Sequence, residues 1–237
     1  MNNTKPQKLL RRIPFIVLFI FIVTHGVAQI NDAGTWQNIY LEKLITRQWN
    51  IHFNYESRIN QNFSNYHYAY GDFGITYKLN KHIHLMGDYV FIEKKDKNGF
   101  WNISHQAYVA VTFKQKFGHF AFSYRIMPQI QYVQMYSSEN GMVPDYELRN
   151  KMTIKYNNAS RYTYYVACEL YYRISGYYKT KKPEGMDFDR VRYFAGVFYK
   201  LDKVNEVELY YLIEKHFDML NPITNFVIGV GYAHTFY

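Results

Sequence analysis

Apolar and polar residues alternate along most of this chain, and the pattern is clearest from Trp101 to Tyr132. Most alternate residues there are apolar, as in Val109, Val111 and Phe113, and most residues between them are polar. Period-two alternation is typical of a β-strand, because successive side chains point to opposite faces. Strands of soluble domains are usually ~5–6 residues long, whereas a tilted strand that crosses a bilayer needs ~9–11. The pattern therefore predicts a transmembrane β-barrel.

The same alternation predicts ten strands from residue 47 onward. They lie at about 49–59, 67–79, 82–94, 101–114, 120–132, 146–157, 161–175, 188–201, 204–216 and 223–237. Short connections near residues 80, 117, 158 and 202 alternate with longer ones near 62, 97, 140, 181 and 219. This alternation is typical of barrels with short periplasmic turns and long extracellular loops. The predicted fold is all-β, an antiparallel up-and-down transmembrane barrel of about 10–12 strands.

Residues 35–45 carry a weaker pattern and would break the even strand number expected of such barrels. Three placements are open for this segment: outside the wall, within the lumen, or paired with a strand that the pattern does not reveal. The predicted domain organisation is accordingly a signal peptide at 1–28, an N-terminal segment or extra strand at 29–46, and the barrel at 47–237.

The N-terminal 28 residues have the features of a cleaved secretory signal. Lys8, Arg11 and Arg12 precede an apolar run from Ile13 to Val23, and Gly26-Val27-Ala28 supplies small residues for cleavage before Gln29. An uncleaved anchor needs ~20 apolar residues, and this run has eleven. An exported barrel implies the outer membrane of a Gram-negative cell, which is the expected location.

Composition agrees with a barrel and excludes other classes. Aromatic residues make up 20% of the chain, with 26 Tyr and 18 Phe, which fits the aromatic girdles of membrane barrels. The mean hydropathy of −0.38 excludes a bundle of membrane helices. Cys168 is the only cysteine, so an intramolecular disulfide and a cysteine metal cluster are excluded; we expect this thiol to be a small apolar filler. Residues 1–28 carry four basic residues and no acid, so their removal lowers the net charge from +9 to +5, and no nucleic-acid partner is expected.

Several short motifs resemble one known family. They are Trp36, the strand Trp49…Glu56-x-Arg58, the turn Tyr77-Lys78-Leu79-Asn80, Arg125-x-x-Pro128-Gln129, Leu148-Arg149-Asn150-Lys151, Glu169, Arg192-x-x-x-Gly196-x-x-Tyr199 and Gly229-Val230-Gly231-Tyr232. The chain resembles the domain of unknown function 2490 family over about residues 35–237. This is a family of exported bacterial outer-membrane barrels common in the Bacteroidetes. The resemblance implies a barrel fold and an outer-membrane location, and it implies no activity and no functional residues.

The side of the barrel predicted to face inward carries charges of both signs. The candidate lumen network consists of Glu56, Arg58, Arg125, Glu147, Arg149, Glu169, Arg173, Arg190, Arg192, Glu206 and Glu208. A barrel of about ten strands is narrow, since ~8 strands leave room for little beyond side chains. Mixed charges in such a tube most simply pair with one another. We therefore expect a structural plug, with a narrow pore as the second interpretation.

Catalysis is not expected from the motifs present. Ser104 and His105 are adjacent and so point to opposite faces, which is poor geometry for a direct nucleophile–base hydrogen bond. The chain contains no Gly-x-Ser-x-Gly, no His-Glu-x-x-His and no phosphate-binding loop. No cofactor or metal is expected, and His82 and His84 are interpreted as polar residues of the lumen rim. Two alternatives stay open: an outer-membrane lipid hydrolase, and a soluble periplasmic barrel that binds an apolar ligand inside.

Two lysine-rich loops suggest contact with lipid. Lys94, Lys95 and Lys97 lie in one predicted extracellular loop, and Lys179, Lys181 and Lys182 lie in another. Ammonium groups attract phosphate as point charges. The expected partners are therefore outer-membrane lipids, with lipopolysaccharide contact by these loops as a hypothesis.

Overall fold

A computed structural model describes residues 30–96, 98–133, 144–157, 160–175, 187–217 and 223–237. The described chain forms eleven β-strands. They are β1 (Ile30–Leu44), β2 (Trp49–Asn60), β3 (Asn65–Lys78), β4 (Ile83–Lys95), β5 (Trp101–Phe117), β6 (Phe120–Val133), β7 (Asp145–Asn157), β8 (Tyr162–Ser175), β9 (Asp187–Lys200), β10 (Asn205–His216) and β11 (Ile223–Phe236). The predicted signal peptide at 1–28 and Lys97, Lys179, Lys181 and Lys182 lie outside the described residues.

The strands form one closed barrel in which neighbours in sequence are neighbours in space, and β1 lies beside β11. All ten pairs from β1–β2 to β10–β11 are antiparallel. Because eleven is odd, this alternation makes β1 and β11 run in the same direction. The barrel is thus antiparallel except at that seam.

The predicted antiparallel barrel is confirmed, and the ten predicted strands match β2–β11 to within three residues at each end. Residues 35–45, whose placement the pattern left open, fall almost entirely in β1. This strand pairs with β2 from Thr35 opposite Ile59 to Leu44 opposite Asn50. The segment is therefore a strand of the wall, and the expected even strand number is wrong.

The two ends of the barrel differ in their connections. Residues 45–48, 79–82, 118–119 and 201–204 join strands at one end, called here the short-turn end. The opposite end is called the long-loop end. Asparagine and aspartate side chains hold the short turns: Asn80 Oδ1 accepts hydrogen bonds from the backbone nitrogens of His82 and Ile83 at 2.7 and 2.9 Å. Hydrogen bonds from Asn205 and Val204 likewise hold the pKa of Asp202 below its usual range.

The two faces of the wall have opposite character. On β2, Asn50, His52 and Glu56 are buried, whereas Ile51 and Tyr55 are exposed. The same alternation recurs on the other strands, with large apolar side chains on the outer surface, such as Val109 at 61% exposure. The polar face therefore lines the lumen and the apolar face forms the outer wall.

Among the residues that the structure describes, there is no helix with the length and apolar character needed to cross a bilayer.

Candidate functional site

Glu169 is the centre of an ion-pair network inside the barrel. Its side chain is 2% exposed. Its Oε1 accepts hydrogen bonds from Arg125 at 3.1 Å and Arg149 at 2.9 Å, and its Oε2 accepts one from the Tyr171 hydroxyl at 3.0 Å. Arg192 Nη1 lies 3.9 Å from Oε2. One buried carboxylate is thus shared by three guanidinium groups.

Strand register brings these groups together. Glu169 on β8 lies opposite Arg192 on β9 and opposite Lys151 on β7. Arg149 lies two residues before Lys151 and so points into the same lumen. Residues directly and diagonally opposite on one face are close enough for long side chains to meet. The network is therefore a consequence of inward-facing charges on four neighbouring strands.

A second carboxylate, Glu214 on β10, continues the network. Its Oε2 lies 2.5 Å from Arg192 Nε and 3.6 Å from Arg190 Nη1. Its Oε1 lies 3.0 Å from both His216 Nε2 and Asn225 Nδ2. Arg192 therefore bridges the two buried carboxylates.

The network extends toward the long-loop end through Asp189, which lies at a β-bulge. Tyr171 lies opposite Arg190 and Tyr172 opposite Phe188, so Asp189 has no partner on β8. Arg173 Nη2 lies 3.0 Å from Asp189 and 3.9 Å from Glu147. Arg190 approaches the same two carboxylates, to 3.9 and 3.8 Å. The extra residue of the bulge thus adds an acid to the lumen.

The Tyr171 ring lies close to three of the arginines. The guanidinium carbons of Arg149, Arg190 and Arg192 lie 4.6, 4.0 and 4.9 Å from the centre of the Tyr171 ring. Cations over aromatic faces at these distances are attracted by the ring quadrupole. The Tyr171 ring therefore both occupies space in the tube and stabilises the charges around it.

Arg58 forms a smaller cluster beside the network. Its Nη2 lies 2.6 Å from Glu56 Oε1, and its guanidinium carbon lies 3.8 Å from the Trp36 ring centre. The guanidinium carbon of Arg192, on β9, lies 5.0 Å from the centre of the same ring. Trp36 thus connects β1 to the charges of β2 and β9.

An apolar cluster in the lumen includes the same Trp36. It consists of Trp36, Tyr165, Ala167, Tyr210, Leu212 and Val227, with Phe194 and Phe198 packed against it. Leu212 is completely buried. Lys151 and Lys155 place their ammonium groups 4.2 Å from the Phe194 and Phe198 ring centres. Close-packed side chains therefore fill this region of the tube.

Nine of the eleven residues predicted for the lumen network form ion pairs there: Glu56, Arg58, Arg125, Glu147, Arg149, Glu169, Arg173, Arg190 and Arg192. The other two, Glu206 and Glu208, have no ion pair within 4 Å in the described chain. Glu208 instead accepts a hydrogen bond from the Tyr165 hydroxyl. The prediction omitted Asp189 and the rings of Trp36 and Tyr171.

The histidines considered for chemistry are placed as follows. Ser104 is buried in the lumen, whereas His105 lies on the outer wall against Tyr89, 2.5 Å from its hydroxyl. His82 Nδ1 lies 3.0 Å from the Lys114 carbonyl oxygen, and His84 Nδ1 lies 3.1 Å from Lys114 Nζ. Ser104 and His105 thus lie on opposite faces of the wall, as their adjacency predicts.

A separate cluster of His52, Asp72 and Asp88 lies on β2, β3 and β4. All three residues are buried, and His52 Nε2 lies 2.5 Å from Asp88 Oδ1. Their strand positions place them in the short-turn half of the barrel. The three face the same side, but 36 residues separate His52 from Asp88, so only the register reveals their contact.

These features define a closed β-barrel with an apolar outer wall and a lumen filled by ion pairs and packed rings. The chain belongs to the family described as protein of unknown function (DUF2490), whose model matches residues 33–218. A comparison with curated proteins found no significant match.

Proposed function

We propose that this protein is a non-enzymatic outer-membrane β-barrel whose lumen is closed by its own side chains. The main support for a closed lumen is the environment of Glu169. This side chain is buried, and three arginines and a tyrosine contact its carboxylate. Bulky charged groups paired in this way fill the tube. The protein then serves as a structural element of the membrane, and a narrow pore is the second interpretation.

The outer wall supports the membrane location. Large apolar side chains such as Phe73, Val109 and Leu209 are exposed on its surface, and soluble monomers rarely expose extended apolar patches. A strand of 14 residues tilted as in typical barrels spans about 35 Å along the barrel axis, which exceeds the ~25 Å apolar band of outer-membrane barrels.

Aromatic pairs lie on the outer wall at both ends of the strands. The pairs near the short-turn end are Trp49–Tyr77, Phe120–Tyr156 and Tyr162–Tyr199, with ring centres 4.5–5.1 Å apart. Near the long-loop end the pairs are Tyr66–Trp101 and Phe188–Phe217, at 5.5 and 4.9 Å. Two aromatic belts are typical of barrels whose ends lie at the two membrane interfaces.

The alternatives fit this architecture less well. A soluble barrel with an apolar ligand inside requires the apolar face to line the lumen, whereas here the charged face does. A lipid hydrolase requires a nucleophile beside a base, and Ser104 and His105 are separated by the wall. We therefore propose no catalytic role for this protein.

The location is tested with nitroxide spin labels in a Cys168→Ser background. Val109→Cys places the label on the middle of the outer wall, and Lys203→Cys places it on an exposed short turn. In reconstituted vesicles we expect oxygen, which is concentrated in lipid, to relax the label at residue 109. A water-soluble nickel complex should relax the label at residue 203. Access of the nickel complex to a label at residue 109 would overturn the membrane location.

The closed lumen is tested by conductance in planar bilayers. We expect the unmodified protein to insert without steady current, because the Glu169 network fills the tube. The Arg149→Ala/Arg192→Ala variant removes two of the central guanidinium groups and should show discrete conductance steps. A Val109→Ala variant on the outer wall is the matched control and should stay closed. Steady channel current through the unmodified protein would contradict the closed lumen and support the narrow pore.

A further inference from the structure

The cluster of His52, Asp72 and Asp88 has the composition and spacing of a cation site. One ligand atom of each residue lies within 4.8 Å of the others. Each residue is only 7% exposed. Two carboxylates and one imidazole therefore face a common point inside the barrel wall, apart from the arginine network.

Three buried atoms of this cluster lack partners. Over the residues that the structure describes, no hydrogen bond reaches His52 Nδ1, Asp72 Oδ1 or Asp88 Oδ2. Buried carboxylate oxygens without partners are unfavourable, and buried charges are normally paired or bound to metals. A cation between the two aspartates would supply the missing interaction.

Gly74 creates the space in which the side chains meet. It lies on β3 directly opposite His52 of β2 and Asp88 of β4. A Cβ atom at this position would lie 1.6 Å from Asp88 Oδ1 and 2.4 Å from His52 Nε2. Any side chain larger than hydrogen would therefore displace both ligands.

Neighbouring rings orient the candidate ligands. The Tyr108 hydroxyl donates a hydrogen bond to Asp72 Oδ2 at 2.8 Å, and Asp72 Oδ1 has no hydrogen-bond partner among the described residues. The Tyr40 ring stacks against the His52 imidazole with centres 5.6 Å apart. Residues that hold ligands from outside are a regular feature of metal sites.

We propose that His52, Asp72 and Asp88 bind a divalent transition-metal ion, for which zinc is the representative. One imidazole nitrogen and two carboxylate oxygens match the ligand types of Zn²⁺. Ligands ~2.0–2.2 Å from a zinc ion lie roughly 3–4 Å apart, so the His52–Asp88 contact of 2.5 Å opens slightly around the ion. The ion links β2, β3 and β4, a role that goes beyond the closed lumen proposed above.

The test measures zinc in the full chain refolded in detergent with Zn²⁺ and then dialysed. We expect about one tightly held ion per chain, with affinity determined by competition against a chromogenic chelator. The Asp72→Asn/Asp88→Asn variant removes two charged ligands and should weaken binding by at least about 100-fold. Gly74→Ala keeps all three ligands and should also weaken binding, because its Cβ occupies their meeting point.

A His82→Gln/His84→Gln variant is the matched control for adventitious binding to histidine and should keep the ion. Heat-modifiable gel mobility verifies that each variant is folded. Should the aspartate variant fail to fold, Co²⁺ in the unmodified protein decides the question: visible absorption bands of a bound four- or five-coordinate ion support the site. An unmodified protein without zinc and without these bands overturns the proposal, as does loss of zinc in the His82/His84 control alone. Zinc binding is measured without membrane current, so a negative result would reject the metal site and leave the closed lumen untested.

Discussion

The guanidinium group of Arg58 lies over the indole ring of Trp36, with 3.8 Å between the guanidinium carbon and the ring centre. The two residues are directly opposite on β1 and β2. The Tyr68 ring lies 4.3 Å from the same carbon and Glu56 pairs with the same guanidinium. Arg58 is thus surrounded by two rings and a carboxylate. This contact fixes β1 to the interior of the barrel.

Replacing Trp36 with alanine should therefore destabilise the barrel. Trp36 is 4% exposed, and removing a buried tryptophan ring typically costs ~3–5 kcal/mol. The change is measured as the free energy of unfolding in urea with detergent micelles. Trp101→Ala on the outer wall is the matched control and should cost clearly less. Equal losses in the two variants would contradict the role of Trp36 as an interior contact.

Replacing Glu169 with glutamine should unfold the network around it. The neutral amide leaves the charges of Arg125, Arg149 and Arg192 without their shared carboxylate. Breaking a buried ion pair typically costs ~3–5 kcal/mol. Urea unfolding measures the loss, and Glu93→Gln at an exposed position is expected to change stability little. A Glu169→Gln barrel as stable as the parent would show that the arginines do not depend on this carboxylate.

Alanine should destabilise the barrel at one glycine and leave its stability unchanged at another. A Cβ at Gly229 would lie 1.9 Å from Cζ of the buried Tyr210 ring, whereas a Cβ at Gly87 meets nothing within 4 Å. Overpacking of this kind costs ~1–3 kcal/mol. We expect Gly229→Ala to lower the free energy of unfolding and Gly87→Ala to leave it nearly unchanged. Thermal unfolding monitored by heat-modifiable mobility compares the two directly.

Lys95 should contribute to lipopolysaccharide binding if the long-loop end faces the cell exterior. Its ammonium group lies 5.0 Å from the Trp101 ring, in the aromatic belt of that end. Lys95→Glu replaces an attraction to lipid phosphate with a repulsion, so less lipopolysaccharide should co-purify with the protein. Lys203→Glu changes the same charge at the short-turn end and serves as the control. A loss confined to Lys203→Glu would place the short-turn end outside.

The sequence pattern predicted the strands and their two faces because alternation over 12–17 residues is unambiguous. β1 was the weak case for a physical reason. Its outward-facing Gln37 accepts a hydrogen bond from Ser57 Oγ at 2.9 Å and donates one to Thr35. These polar residues lie on the outer face and hydrogen-bond to one another. They reduce the difference in polarity between the two faces, and the prediction relied on that difference.

The candidate sites were predictable as an inward set of charges and not as a set of contacts. Glu169 and Arg125 are 44 residues apart, and only the register makes them partners. Asp189 was missed because the bulge interrupts the period of two at that point. The His52–Asp72–Asp88 cluster depends on two successive strand registers and on the missing side chain of Gly74, which no local pattern encodes.

The parallel seam between β1 and β11 has a consequence for the order of the strands. The start of β1 and the finish of β11 lie at opposite mouths of the tube, so joining them demands a linker as long as the wall is high. At ~3.3 Å per residue such a linker needs about ten extended residues. The linker could pass only through the lumen, which side chains already occupy, or along the outer surface, which we propose contacts lipid. A circularly permuted version of this barrel, simple to build when the two ends adjoin, is therefore expected not to assemble.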